Sequence, residues 1–277
     1  VTASAPTTEE DAMEACYVYG VVSEPDADAV VGELPAVGDG DSGGQIGYVR
    51  HGGIAAAVSA LRTDRALGTP RDLRAHSRVL DTLAATGAPV LPFRFGTVLG
   101  DEQAVADEVL AGGHDAFVAA LDKLRGRAQF TLRGHYEQDA GLREVLAERP
   151  DIVELRDRTA ALPDEAARYE QIRLGELVAE AVTAKREVDA TEIDRRLSPH
   201  ADASVLAEPA AEDGVADASF LVPTARRAAF EEAAEKLARD WDGRVRLRLL
   251  GPLAPYDFVA EAMAEAEEAT GGAEGER

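Results

Sequence analysis

One cysteine in 277 residues, Cys16, excludes an intramolecular disulfide and any multi-cysteine metal site. It opens an apolar run, where a small buried hydrophobe fits best. Lysine is nearly missing too, present only as Lys123, Lys185 and Lys236, so the basic charge is carried by arginine. Aromatic residues make up 5% of the chain, so its core must be built mainly from Ala, Val and Leu. Excess positive charge is also lacking: 52 acids against 29 bases give a net charge of −23. Such a surface repels phosphate backbones and anionic lipid, which argues against nucleic-acid and membrane partners. No run approaches the 18 or so apolar residues a membrane helix needs. Val1–Glu14 has neither a basic region nor an apolar stretch, so no secretory signal is expected and the cytoplasm is the expected location.

Catalytic patterns are equally sparse. Gly40-Asp-Ser-Gly-Gly44 spells the nucleophile segment of trypsin-like proteases, but no histidine precedes it as that triad's chain order demands. Gly38-Asp-Gly-Asp-Ser-Gly43 fits G-x-G-x-x-G, yet Asp39 and Asp41 would repel phosphate and a strand follows where a helix is needed. A surface loop is the simpler reading. The five histidines, His51, His76, His114, His135 and His200, include no pair at i, i+4 spacing. No Walker loop occurs, and no carboxylate pair stands out as acid and base. The expectation is a non-enzyme without cofactor or metal.

What is present is an orderly alternation of strands and helices. Cys16–Val22 reads as a buried strand. Asp26–Leu34 reads as a short helix. Gln45–Arg50 and Ile54–Ser59 read as a hairpin about His51-Gly52-Gly53. Thr69, Pro70 and Asp72 start a helix with apolar positions Leu73, Leu80 and Ala84, closed by Gly87 and Pro89. A strand over Pro89–Phe95 and helices over Asp101–Leu110 and His114–Leu124 follow. Ala128–Gly134 alternates, and a helical stripe through Leu142, Val145 and Leu146 stops near Pro150. A long helix runs from Glu165 toward Arg195. Strands over Ser204–Leu206 and Ala218–Val222 flank an acidic turn at Glu212–Gly214. A helix through Phe230, Leu237 and Trp241 precedes the strand Arg244–Leu250. The expected class is α+β with two domains. The N-terminal one is a modified ferredoxin-like domain whose first helix is reduced, over 15–125. The C-terminal one, over 126–260, is a ferredoxin-like βαββαβ domain with a long helical insertion. Residues 1–14 are expected to be disordered, and 261–277 to form an acidic Ala/Glu tail that is helical from Glu261 and ends in disorder.

Two charge features are unusual. Arg94 interrupts the apolar Val90–Leu99. In a strand buried on both faces a lone guanidinium costs several kcal/mol, so an ion pair to a helix or to the other domain is expected, with a partner contact as the alternative. Arg244, Arg246 and Arg248 alternate with Val245, Leu247 and Leu249, so they share one sheet face, and Arg133 of the neighbouring strand joins them. This stripe is a candidate docking surface for an acidic partner, unless local acids neutralise it.

Val90-Leu-Pro-Phe-Arg-Phe-Gly-Thr-Val-Leu99 and Gly251-Pro-Leu-Ala-Pro-Tyr-Asp-Phe-Val259 resemble segments of the gas vesicle protein F/L (GvpF/GvpL) family. Tyr17-Val-Tyr-Gly-Val-Val22, His76–Leu83 and Ala218-Ser-Phe-Leu-Val222 resemble its other landmarks, which together span about residue 16 to 260. Departures are Ser77 where the family commonly has Glu, and Leu253 and Ala254 where an aromatic and a second proline are frequent. The resemblance makes Arg94, Phe95, Gly96, Gly251, Pro252, Pro255 and Tyr256 structural motif positions. It implies a gas vesicle assembly protein and minor vesicle component that binds the hydrophobic shell protein and limits its aggregation during nucleation. The shell protein and other accessory proteins are its implied partners, and the gas vesicle its implied location. The competing reading is a ferredoxin-like regulatory or small-ligand-binding protein.

Overall fold

The computed structural model describes residues 14–27, 34–38, 45–62, 66–209, 211 and 213–274. The 28–33 part of the short helix, the loop at 39–44, Glu212 of the acidic turn and nearly all of the N-terminal 1–14 segment lie outside the described residues. The chain is a mixture of helices and antiparallel sheets and divides into two compact units. One comprises Val1–Ala128 with Pro252–Arg277, the other Gln129–Gly251.

In the first unit, β1 (Glu14–Ser23) is followed by the four-residue α1 (Glu24–Ala27), then β2 (Gly47–His51) and β3 (Ile54–Arg62). Gly52 and Gly53 make the hairpin turn with φ of 58° and 89°, both positive as a two-residue I′ turn requires. Helix α2 (Pro70–Ala85) starts on a complete capping box. The Thr69 hydroxyl accepts from Asp72 N, and the Asp72 carboxylate accepts from Thr69 N, which satisfies two donors the helix cannot satisfy itself. Strands β4 (Val90–Pro92) and β5 (Val98–Leu99) both pair antiparallel with β1. The sheet order is β2-β3-β1-β4.

The core lies between this sheet and α2. Tyr17, Tyr19, Val22, Ala55 and Ala57 meet Val79, Leu80 and Leu83. The register of β1 on β3 shifts between Val18 and Gly20. Gly20 is needed there because a Cβ would lie 2.5 Å from the Leu91 carbonyl oxygen and 3.0 Å from Leu80. Beyond β5, the expected helix Asp101–Leu110 is one α-helical turn, α3 (Glu102–Ala104), continued by a π-helical segment over Val105–Ala111, and α4 (His114–Leu124) follows. The acidic tail is helical as expected, α9 (Val259–Glu274), and it lies against α4 and buries Ala262 and Ala266. Composition alone hides that packing, because alanines at i, i+4 supply an apolar stripe narrow enough to read as a solvated face.

In the second unit, β6 (Arg127–Tyr136, entering it from Gln129) precedes α5 (Ala140–Glu148), α6 (Pro150–Ala160) and the 34-residue α7 (Asp164–Leu197). The stripe through Leu142 and Val145 stops at Glu148, as expected near Pro150, and Pro150 itself begins α6, since a missing N–H costs nothing at a first helical position. Strands β7 (Ala203–Ala207) and β8 (Gly214–Pro223), helix α8 (Arg227–Asp240) and β9 (Val245–Leu253) complete the order. The sheet runs β7-β8-β6-β9. Numbered within each unit, both sheets have the strand order 2-3-1-4. Helices α7 and α8 pack on β8, and the rings of Phe130, Phe220 and Phe230 meet at 5.3–5.5 Å between centroids. Helices α5, α6 and α7 close a satellite cluster about Val145, Ile152 and Ala181.

Candidate functional site

Period-two alternation puts Tyr17 and Tyr19 of β1 on one face, and both are fully buried against α2. Their rings meet edge to face at 4.9 Å, and His76 of α2 stacks on Tyr19 at 5.7 Å. Buried hydroxyls need partners. The Tyr17 hydroxyl lies 3.0 Å from His76 Nδ1 and accepts from Gly96 N at 3.1 Å. The Tyr19 hydroxyl lies 3.0 Å from Ser59 Oγ and accepts from Val37 N at 2.8 Å. Burial pushes the Tyr17 phenol up to about 12 and holds His76 below its ordinary value, with the Phe93 carbonyl offsetting part of the latter shift. These groups therefore stay neutral at physiological pH. Their arrangement organises the Tyr17-Val-Tyr-Gly motif around structure rather than reaction.

The same hydroxyl explains Val90–Leu99. Phe93 N donates to Tyr19 O at 2.8 Å and Val18 N donates to Thr97 O at 3.0 Å, so the segment follows β1 at both ends. Between them it leaves the sheet through a turn in which Gly96 has φ 91°. Phe95 packs back on Tyr17 and His76. Arg94 stands at the excursion and is exposed. The expectation of a buried, ion-paired Arg94 is thus overturned. Strict alternation was extended past Pro92, where the strand ends, and no desolvated charge exists to be compensated. Of the second motif, Pro255 is buried and Pro252 half-buried, and Ala254 enters the core of the first unit, its N donating to Asp81 Oδ1 at 3.2 Å. Burial raises the Asp81 carboxyl, and the Ala254 N–H acts against that shift. Tyr256 is 39% exposed, its ring centroid lies 6.4 Å from that of His76, and burial raises its phenol.

In the second unit the four arginines separate. Arg244, just before β9, is half-buried in a charge network. Its Nε and Nη2 donate to Glu144 at 2.6 and 2.9 Å, and Nη2 donates to both Asp189 oxygens at 2.6 and 2.8 Å. The Tyr136 hydroxyl donates to Asp189 at 2.6 Å, and Lys185 bridges Glu144 and Glu148. Trp241 lies under the guanidinium at 5.0 Å. Burial works against the Arg244 charge, but its bonds to Glu144 and Asp189 outweigh burial and hold it above the usual arginine value. The Arg244 bond also holds Glu144 below the ordinary carboxylate range, against burial and with help from Lys185. A shallow cavity of about 740 Å³ borders the network.

Arg246 pairs with Glu137 and Arg133 with Asp217, both exposed, while Arg248 is exposed. The stripe expected from period two is therefore largely neutralised, and its first member is an internal structural arginine. Nor is that sheet face fully open, because Gln129, Thr131 and Ser219 are buried on it and hydrogen-bond to one another at 3.0–3.3 Å. The acids of the network escaped sequence reading. The available signal was Asp189 at the i−4 position of a buried α7 stripe with Ile193 and Leu197.

Among the described residues no group of three His, Cys, Asp or Glu could hold a metal ion, and no helix is long and apolar enough to cross a membrane. The model of a family described as gas vesicle synthesis protein GvpL/GvpF matches residues 15–260. The chain belongs to the GvpL/GvpF family. Within it, the chain is 34% identical over 250 residues to gas vesicle protein F of Streptomyces sp. (strain CB03234), covering 88% of this chain and 98% of that one. Gas vesicle protein L of the same strain is 29% identical over 279 residues, with 91% and 95% covered. The crystal structure of GvpF from Anabaena sp. PCC7120 superposes with a TM-score of 0.71 at 25% identity, covering 89% of this chain and 98% of that one. GvpF from Microcystis aeruginosa gives 0.68 at 21% identity, a likeness of fold. The GvpL/GvpF motifs quoted from the sequence all fall inside the matched span.

Proposed function

We propose that this chain is a gas vesicle assembly protein and minor vesicle component. In this reading it binds the hydrophobic shell protein and limits the shell protein's aggregation during nucleation, acting with other accessory proteins in the cytoplasm and on the vesicle. The observation that carries the reading is the family match across residues 15–260. The surface is compatible with an escort role. Net charge −23 keeps the chain dispersed, while Tyr169, Ile172 and Val188 of α7 are 59–73% exposed. The shared 2-3-1-4 strand order supports the finer description of both units as ferredoxin-like, with α1 reduced in the first and α5–α7 lengthening the crossover in the second. The reading assigns the chain no catalytic step. Co-expression with a gas vesicle shell protein tests it: the shell protein should become more soluble and co-purify, and a shell protein that stays insoluble and unbound would overturn the reading.

A further inference from the structure

The exposed side of α2 carries positive charge on a chain with a large excess of acid. Arg74 and Arg78 stand at i, i+4 and so lie one above the other, about 6 Å apart along the axis. Both are exposed, and Leu73 beside them is 47% exposed. Among the described residues neither guanidinium has a hydrogen bond, ion pair or ring contact, although acids outnumber bases in the chain by 52 to 29. The carboxylates of the same helix are committed elsewhere. Asp72 is buried in the Thr69 cap, and Asp81 accepts from Ala254 N. Leu73, Arg74, Ser77, Arg78, Thr82 and the Ala254-bonded Asp81 border a shallow groove of about 550 Å³, and the two arginines, with Arg71 and the capping Asp72, also wall a second groove of about 310 Å³ beside Pro35 and Ala36.

We infer that this face of α2 is a docking surface for an acidic amphipathic helix of another protein, its carboxylates on Arg74 and Arg78 and one apolar side chain on Leu73. Charge complementarity selects the class. A second copy of this chain brings −23 to meet −23, and a nucleic acid meets the same repulsion along its whole backbone. A short helix presents carboxylates on one face and an apolar strip beside them, which matches two arginines flanked by an exposed leucine. The inference is independent of shell-protein binding.

The test is fluorescence anisotropy with a labelled synthetic helix bearing Glu at i, i+4 and Leu at the intervening i+3. The same peptide with Gln for Glu, heparin and single-stranded DNA complete the panel. Arg74→Ser with Arg78→Ser should weaken Glu-peptide binding about tenfold or more. Leu73→Ser should weaken peptide binding without changing heparin binding, and Arg248→Ser should change neither. All variants should unfold at the wild-type temperature, because every substituted side chain is exposed. Equal binding of Glu and Gln peptides, no effect of the double variant, or heparin or DNA binding that surpasses the peptide through the same arginines would each overturn the inference.

Discussion

Replacing Arg244 by Met removes the hub of the charge network and leaves its volume nearly unchanged. Deleting one member of a buried ion pair costs about 3–5 kcal/mol, while an exposed pair is worth about 0–1 kcal/mol. Side-chain exposures of 24% for Arg244, 29% for Glu144 and 7% for Asp189 put this case between those limits, at about 2–3 kcal/mol. Loss of the cation–π contact with Trp241 adds about 0.5–1 kcal/mol. The total, about 3 kcal/mol, lowers a urea midpoint by about 1.5 M for a slope near 2 kcal/mol/M. Trp241 is the only tryptophan and lies against Arg244, so its fluorescence follows unfolding of this unit. The deficit should also depend on pH. Glu144 has a folded pKa below its ordinary 4.5, so its share of the stability is present above about 4.5 and is lost as pH falls through the lower folded value. The gap between wild type and variant should therefore narrow in acid. A midpoint for Arg244→Met equal to that of Arg248→Ala, which pairs with no acid among the described residues, would refute the network as a structural device.

Gly251 has φ 149°, and a Cβ there would meet the Phe130 ring at 2.5 Å, so Gly251→Ala should cost more than about 2 kcal/mol in thermal or urea unfolding. Thr69→Ala removes the capping box of α2 and should cost about 1 kcal/mol, read as a lowered urea midpoint for the first unit. Burial lowers the His76 pKa, so its contribution is complete above 6.5 and drains as pH falls from 6.5 toward the folded value; His76→Asn should flatten that part of the stability–pH curve. Substituting Arg133, Arg246 and Arg248 together by Ser should alter stability by no more than about 0.5 kcal/mol per site. Because the first two already face carboxylates, it should also leave co-purification of the shell protein unchanged.

Features set by neighbours in the chain were legible in the sequence. The α2 cap needed only Thr69, Pro70 and Asp72, and the hairpin only Gly52 and Gly53, because both are local arrangements of backbone donors. The strand–helix order of each unit followed from periodicity. What failed were the inferences about charged side chains whose surroundings are set by distant residues. Alternation placed Arg246 on β9, with Arg244 one residue before it, but could not supply Glu144, a hundred residues away, or Asp189, so an internal hub passed for a docking stripe. Arg94 was judged by the strand it sits in. Its exposure is decided by Tyr17, whose hydroxyl captures Gly96 N from 79 residues off and turns the chain out of the sheet. The basic face of α2 went unnoticed because Arg74 and Arg78 become conspicuous only when nearby acids prove to be occupied.

The central claim is that this GvpL/GvpF member restrains the shell protein. Light scattering of a gas vesicle shell protein diluted from denaturant, with and without an equimolar amount of this chain, measures that restraint directly. The account predicts a delayed rise, a lower plateau and a soluble complex containing both proteins. A scattering curve that matches the one obtained with serum albumin, with no complex formed, would contradict it.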